Sequence, residues 1–114
     1  MQVLDLACGT GEPGITVAQV VGPTGKVVGV DLSPELLEVA TGRARTKGLS
    51  NFVTQHADAH QLPFPERTFD LATCRCGVMF FDDVVGALVE LRRVLKPAAQ
   101  ACFLAWGPFE QPYW

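Results

Sequence analysis

The sequence predicts an α/β fold, a doubly wound parallel sheet that carries helices on both faces. Five apolar runs recur along the 114 residues and are rich in Val, Leu, Phe, Thr and Cys, which is typical of strands buried on both faces. Helical segments lie between several of these runs, and such alternation favours a parallel sheet with right-handed crossovers. The predicted strands are residues 2–8, 26–32, 51–57, 69–76 and 100–106.

Three helices fit between the strands, at about residues 12–21, 34–47 and 82–96. Pro13 lies near the first turn of the first helix. Ser33 is the expected N-cap of the second helix, and Gly48 follows its end. We expect Pro97 to terminate the third helix, because proline cannot continue one. Residues 57–68 form a proline-interrupted loop instead of a fourth helix.

Composition and charge exclude several classes of protein. With 48% hydrophobic content, the chain has room for one compact domain, residues 1–114. The net charge is −3 and Lys and Arg form no dense cluster, so we expect no nucleic-acid partner. No apolar stretch approaches the ~18 residues of a membrane span. Four cysteines in strand-like runs favour reduced thiols, a cytoplasmic location and no metal site.

A glycine-rich turn follows the first predicted strand, in the stretch LDLACGTGEPG. Gly9, Gly11 and Gly14 have the spacing of a dinucleotide-binding turn, in which the backbone approaches a ligand at the N-terminus of a helix. Asp31 ends the second strand, where a carboxylate can accept hydrogen bonds from both ribose hydroxyls. These features suit NAD and other nucleoside ligands equally.

Asp5 distinguishes a ligand that contains a pyrophosphate, such as NAD, from a ligand that carries a positive charge. A pyrophosphate would bring two negative charges close to this carboxylate, whereas a cationic ligand would be attracted to it. Asp58 follows the third strand, where its carboxylate can accept a hydrogen bond from an exocyclic amine such as that of adenine. Together with Asp31, these acids at three successive strand ends suit a ligand with an ammonium group, a ribose diol and an adenine. A nicotinamide-dependent reductase is the distant alternative.

Four blocks of the sequence resemble the class I S-adenosylmethionine-dependent methyltransferases, closest to the ubiquinone/menaquinone-biosynthesis-like (methyltransferase type 11) branch. The blocks are VLDLACGTG, VVGVDLSPELLEVA, ADAHQLPFPERTFDLATCR and ELRRVLKP, and they follow the order and spacing of that family. The resemblance implies a Rossmann-like fold with five strands in the order 3-2-1-4-5, without the C-terminal strands of the full fold. It also implies methyl transfer from S-adenosyl-L-methionine to a small-molecule acceptor.

The resemblance implies that ten residues bind the methyl donor. The glycine turn with Asp5 would hold the methionine part, and Asp31 would hold the ribose. Asp58 and the Ala59 backbone would frame the adenine, and Leu32 would pack on its ring. An aspartate at a strand end can instead cap the next helix, which is the structural alternative. The expected donor-binding residues are Asp5, Ala7, Gly9, Thr10, Gly11, Asp31, Leu32, Asp58, Ala59 and Arg75.

The resemblance implies that the methyl acceptor lies beyond the fourth strand. The sequence assigns no catalytic base. Methyl transfer from a sulfonium is a one-step displacement, so holding the nucleophile in line supplies much of the acceleration. We expect His60 to be a loop residue and His56 a core or boundary residue, and Cys74 and Cys76 to be buried thiols. The candidates for the acceptor rim are Arg75, Gly77, Met79, Phe80, Asp82 and Asp83.

The chain departs from the family's pattern in two respects. The family has helices before the first strand and two further strands after the fifth, which this sequence does not include. We therefore expect donor binding with poor methyl transfer by this chain alone, and a donor-binding core with little activity is the alternative function. The family's Gly-Gly turn after LKP is Ala98-Ala99 here, which argues against the usual turn with positive φ.

The fifth strand is expected to be an edge of the sheet. The run QACFLAW is apolar and contains no Lys or Pro, and unprotected edges of this kind pair with other chains. The tail WGPFEQPYW adds exposed aromatic residues, namely Trp106, Phe109, Tyr113 and Trp114. We expect a homodimer, formed through the fifth strands or by exchange of the tail. A monomer whose tail covers the edge is the alternative.

Overall fold

All five predicted strands form one parallel sheet. The computed structural model of the chain describes residues 1–75 and 81–104. The strands are β1 (Gln2–Leu6), β2 (Lys26–Asp31), β3 (Phe52–His56), β4 (Phe69–Arg75) and β5 (Leu95–Leu104), and the helices are α1 (Gly14–Val21), α2 (Pro34–Thr46) and α3 (Val84–Val94). The strand order is β3-β2-β1-β4-β5, so the predicted fold class and order are confirmed.

Two cores, one on each face of the sheet, make the fold doubly wound. Alternate residues of β1 point to opposite faces, so Val3 packs with α1 and α2 while Leu4 packs with α3. Ile15 and Ala40 cover the first face, and Leu91 covers the second. Because β1 lies in the middle of the sheet, its residues 3–6 are fully buried.

The second helix follows the prediction at both ends. Ser33 is its N-cap, and the hydroxyl accepts a hydrogen bond from Leu36 N at 3.3 Å. Gly48 follows the helix with φ of 70°, a conformation that glycine adopts without strain. The other two helices are two residues shorter at their beginnings than predicted, because Pro13 and Asp83 are N-caps and lie outside the helices.

The beginning of β5 differs from the prediction. The strand starts at Leu95, directly after α3, so Pro97 lies inside the strand and does not terminate the helix. Proline is compatible with β5 because this strand is an edge of the described sheet and its outward side needs no amide proton. The β4–β5 register jumps from Phe69↔Leu95 to Leu71↔Gln100, so residues 96–99 form a bulge opposite one residue of β4.

Ala98 lies in this bulge with φ of 65°. The positive φ that the Ala98-Ala99 substitution argued against is therefore present, and that expectation was wrong. An alanine in the left-handed region costs about 1 to 2 kcal/mol relative to its ordinary conformations. The pairing of β4 and β5 on both sides of the bulge imposes this conformation despite its cost.

Several sequence predictions lie outside the described residues. They concern the end of the predicted fifth strand at 105–106, the thiol of Cys76, three residues of the acceptor rim (Gly77, Met79 and Phe80) and the aromatic tail. In the part of the chain that the structure describes, no helix is long and apolar enough to cross a membrane.

Replacing Ala98 by glycine is expected to stabilise the protein. Ala98→Gly relieves the left-handed strain, and because the side chain is exposed the change leaves no cavity. The free energy of unfolding should rise by about 0.5 to 1 kcal/mol, the difference between the relieved strain and the entropy cost of glycine. Ala99→Gly is the matched control, since Ala99 does not have a positive φ, and it should destabilise. Urea denaturation of both variants measures the difference, and equal changes of the same sign would contradict the prediction.

Candidate functional site

A cavity of about 300 Å³ lies at the carboxyl ends of the central strands. This is the position at which ligands bind in open α/β sheets, where the strand order reverses around β1. Six of the ten expected donor-binding residues line it: Ala7, Asp31, Leu32, Asp58, Ala59 and Arg75. The remaining lining residues are Val30, Ala57, His60, Phe81 and Asp82.

Two backbone amides hold the carboxylate of Asp31. Gly9 N donates to Oδ2 at 2.9 Å and Ser33 N donates to Oδ1 at 3.0 Å. An ionised carboxylate has about four acceptor positions, so roughly half of the capacity of Asp31 stays available at the cavity wall. The turn that presents Gly9 has a positive φ at three residues, namely 54° at Ala7, 56° at Gly9 and 113° at Gly11.

The three glycines of the turn have different environments. A Cβ on Gly11 would lie 2.6 Å from Ile15 Cδ1, and one on Gly14 would lie 2.6 Å from Asp5 Oδ2. These two glycines are therefore required by packing. A Cβ on Gly9 would meet nothing within 4 Å, so its backbone is open to an approaching ligand. Ligand contact by Gly9 and Gly11 stays a prediction.

Asp5 is fully buried beneath the turn and does not line the cavity. Its two oxygens accept hydrogen bonds from Gly14 N and from the Thr73 hydroxyl, both at 2.9 Å. Burial raises the pKa of Asp5 to about 6, although these hydrogen bonds oppose the shift. Burial also raises the pKa of the neighbouring Cys8 thiol to about 12, so this cysteine is neutral at physiological pH and is not a nucleophile.

Thr10 does not line the cavity. Arg43 Nη1 donates to the Thr10 carbonyl oxygen at 3.0 Å and to its hydroxyl at 3.2 Å. These bonds attach the tip of the turn to the outer surface of α2. Donor contact by Thr10 stays a prediction.

One wall of the cavity is apolar and unusually open. The side chain of Leu32 is 64% exposed, and Ala57 and Ala59 lie nearby in the same lining. His56 Nε2 lies 2.9 Å from the Leu32 carbonyl oxygen, which fixes the backbone that carries this leucine. A large apolar side chain exposed at a cavity wall suits the face of a flat ring.

Asp58 and His60 form a hydrogen-bonded pair next to that wall. Asp58 Oδ1 accepts from His60 N at 2.9 Å and lies 2.6 Å from His60 Nδ1. These bonds lower the pKa of Asp58, and the bond to Asp58 raises the pKa of His60. His60 lies in a loop, as predicted, but its contacts with Asp58 and with α3 were missed. The only sequence signal for the pair is the Asp-x-His spacing itself.

The acceptor rim is only partly within the described residues. Arg75 and Asp82 line the cavity. Asp83 instead caps α3, because its carboxylate accepts from Gly86 N at 3.0 Å. Cys74 is buried, as predicted. No group of three or more metal-ligating side chains occurs in residues 1–75 and 81–104.

Asp70 marks the opposite end of the sheet. Its carboxylate accepts from Gln2 N at 2.7 Å and from Lys96 Nζ at 3.0 Å, and the bond from the Gln2 amide is the main reason that its pKa is lowered. The side chain therefore joins the beginnings of β1 and β5 to β4, far from the cavity.

Asp5→Asn is expected to remove a pH dependence of stability. Because the folded-state pKa is raised, the contribution of Asp5 is fully present below pH 4 and is lost as the pH rises through about 6. Relative to wild type, the variant should gain about 2 to 3 kcal/mol in free energy of unfolding between pH 4 and pH 7.5, since one pKa unit corresponds to about 1.4 kcal/mol. The amide keeps an acceptor for Gly14 N and can donate to the Thr73 hydroxyl.

Urea denaturation at the two pH values measures this change. Asp70→Asn is the control of opposite sign, because the pKa of Asp70 is lowered and its loss should destabilise the protein at neutral pH. Parallel pH profiles for wild type and Asp5→Asn would show that burial of Asp5 does not control the stability.

Comparisons with known proteins agree with this geometry. The chain is 41% identical over 103 residues to the demethylmenaquinone methyltransferase of Staphylococcus aureus, an alignment that covers 90% of the chain and 42% of that relative. The chain therefore spans less than half the length of such relatives.

Solved structures share the fold. A SAM-dependent methyltransferase from Aquifex aeolicus is 27% identical with a TM-score of 0.88, covering 98% of this chain and 61% of that one. The [4+2]-cyclase SpnF is 32% identical with a TM-score of 0.80, covering 86% and 36%. A family model described as "Methyltransferase domain" matches residues 1–104, and the chain belongs to this family.

Proposed function

We propose that the cavity binds S-adenosyl-L-methionine and that the chain is the donor-binding domain, residues 1–114, of a methyltransferase for a small-molecule acceptor. The observation that carries the proposal is Asp31, whose carboxylate is held by two backbone amides with acceptor capacity left over at the cavity wall. Family membership and the methyltransferase relatives support it.

Each part of the donor has matching residues. Asp31 accepts from the ribose hydroxyls, Leu32 packs on the adenine, and Asp58 accepts from the exocyclic amine. Ala7 and the open backbone at Gly9 lie where the methionine part would run. When bound, the donor supplies a methyl group on a sulfonium, and the residues of the chain orient it.

Asp5 contributes through its charge and not through contact. Both oxygens are occupied by protein donors, but an ionised carboxylate in a water-excluded position still attracts a cation across the turn. With a pKa of about 6, Asp5 is mostly ionised at neutral pH. The turn therefore favours a cationic sulfonium and ammonium over a pyrophosphate, as the sequence suggested.

Asp31→Ala should weaken binding of S-adenosylhomocysteine. The variant loses the acceptor for the ribose hydroxyls and should bind with an affinity lower by about 1 to 3 kcal/mol, measured by isothermal titration. Asp70→Ala is the matched control, because it removes the same group at the other end of the sheet and should leave binding unchanged. Circular dichroism checks that both variants fold. Wild-type affinity in a folded Asp31→Ala would place the ribose elsewhere.

Two alternatives are separated by related measurements. Binding of NADH in preference to S-adenosylhomocysteine would favour a nicotinamide-dependent reductase. Donor binding without turnover, in the presence of a panel of acceptors, would favour a donor-binding core with little activity alone.

Arg75 and Asp82 line the side of the cavity proposed for the acceptor. The cytoplasmic location is proposed on the unpaired thiols of Cys8 and Cys102.

We also propose a homodimer through β5. This strand ends the described sheet, and its residues Cys102, Phe103 and Leu104 are exposed. An edge strand with exposed apolar side chains offers both backbone hydrogen bonds and apolar area to a second copy. Lys96 and Pro97, which are residue types that protect strand edges, lie at the beginning of β5 and not at this exposed end.

Phe103→Lys should weaken this dimer. A lysine at the exposed end of β5 repels its symmetry mate and is a common protection of strand edges. Sedimentation velocity over a dilution series should show the dimer dissociating at higher concentration in the variant than in wild type. Val20→Lys, an equivalent change at an 80% exposed position of α1, should have no effect. A monomeric wild type at high micromolar concentration would contradict the proposal.

A further inference from the structure

The imidazole of His60 joins two sides of the cavity. On one side, Nδ1 lies 2.6 Å from Asp58 Oδ1. On the other side, Nε2 lies 3.1 Å from the backbone N of Asp83, at the beginning of α3. The ring of Phe81 meets the imidazole edge to face, with centroids 5.8 Å apart and planes at 70°. His60 itself lines the cavity.

These partners select one tautomer of His60. Asp58 presents a carboxylate oxygen, which accepts, so Nδ1 must carry the proton. Asp83 presents an N–H, which donates, so Nε2 must offer its lone pair. Only the neutral ring with Nδ1–H satisfies both contacts, because an imidazolium would place an Nε2–H against the Asp83 N–H.

His56 selects the opposite tautomer. Its Nε2 lies 2.9 Å from the carbonyl oxygen of Leu32, and a carbonyl only accepts, so Nε2 must carry the proton in the neutral ring. The chain has two histidines, and the structure therefore assigns them different proton positions. His56 is an internal reference for any measurement on His60.

The bridge leaves one oxygen of Asp58 available. Oδ1 takes both bonds from His60, and within residues 1–75 and 81–104 no hydrogen bond to Oδ2 is found. A carboxylate held at one oxygen by two donors presents its second oxygen in a fixed direction. Such an acceptor can distinguish an exocyclic amine from a carbonyl at the same position of a purine.

We propose that His60 is a positioning residue for adenine recognition, which in its Nδ1–H tautomer holds Asp58 and the beginning of α3 together across the cavity. The inference rests on the proposed donor site. His60 does not touch the adenine amine in this proposal. It acts through Asp58, and its two ring nitrogens have separate roles.

The first test is the tautomer itself, read by long-range ¹H–¹⁵N NMR of the imidazole nitrogens in the full chain at pH 8.5. This pH is chosen because the bond to Asp58 raises the pKa of His60. We expect a protonated Nδ1 and an unprotonated Nε2 for His60, with the reverse for His56. An Nε2–H tautomer for His60, or equal averaging of both forms, would overturn the bridge without any variant being made.

The second test separates the two nitrogens by substitution. His60→Asn keeps a donor near the position of Nδ1 and loses the contact with Asp83. His60→Gln keeps an acceptor near the position of Nε2 and loses the donor to Asp58. Both variants and wild type are titrated with S-adenosylhomocysteine and with S-inosylhomocysteine, in which a carbonyl replaces the exocyclic amine.

Wild type should prefer the adenine ligand about tenfold, the ratio that one hydrogen bond provides. His60→Asn should keep most of this preference, and His60→Gln should lose it while binding the inosine ligand as wild type does. An unchanged preference in His60→Gln would overturn the inference alone. Failure of wild type to bind either ligand would instead overturn the donor site. If the variants do not fold, the tautomer measurement decides.

Discussion

The buried carboxylate of Asp5 is the interaction on which the rest of the site depends. It accepts from the amide at the beginning of α1 and from the Thr73 hydroxyl on β4, so it joins three neighbouring elements at a position without solvent. A buried carboxylate lacking such donors would strongly destabilise the fold. The bond from Gly14 N fixes the end of the glycine turn above Asp5, and the same turn presents the Gly9 amide to Asp31.

All three acids at the strand ends are first bound by the protein itself, each through at least one backbone amide. Amide donors fix the orientation of a carboxylate, so a ligand would meet acceptors that need little ordering. The three acids differ in what they leave open: Asp5 is buried and does not line the cavity, Asp31 keeps part of each oxygen, and Asp58 keeps one whole oxygen. The buried charge of Asp5 suits the cationic end of the proposed donor, and the exposed acceptor of Asp58 suits its neutral base.

The strands and α2 could be predicted because their signals are local: apolar runs, and the caps at Ser33 and Gly48. The strand order was predicted from the resemblance to the methyltransferase family, because no local pattern encodes it. The beginning of β5 could not be predicted, because the bulge around Ala98 depends on pairing with β4. This pairing places Pro97 inside the strand, where the sequence alone predicted the end of a helix. Asp31 and Asp58 lie at the carboxyl ends of β2 and β3 as the topology predicted, whereas Asp5 lies inside β1 and is buried. Their contacts were not predicted, since the bridge from His60 to Asp83 depends on a distance between remote segments that no local pattern encodes.

The side of the cavity proposed for adenine depends on α3 as much as on the strands. Arg93 donates to the carbonyl oxygens of Leu62 and Phe64, and Glu90 accepts from Leu62 N, which attaches the loop carrying Asp58 to this helix. A [4+2]-cyclase shares the fold, so the sheet alone does not determine the reaction. In this chain α3 follows the proposed acceptor rim and also holds the loop of Asp58, through Arg93 and through the contact of His60 with Asp83. A small shift of α3 would therefore move the loop that carries Asp58 and the segment that begins at Phe81 together.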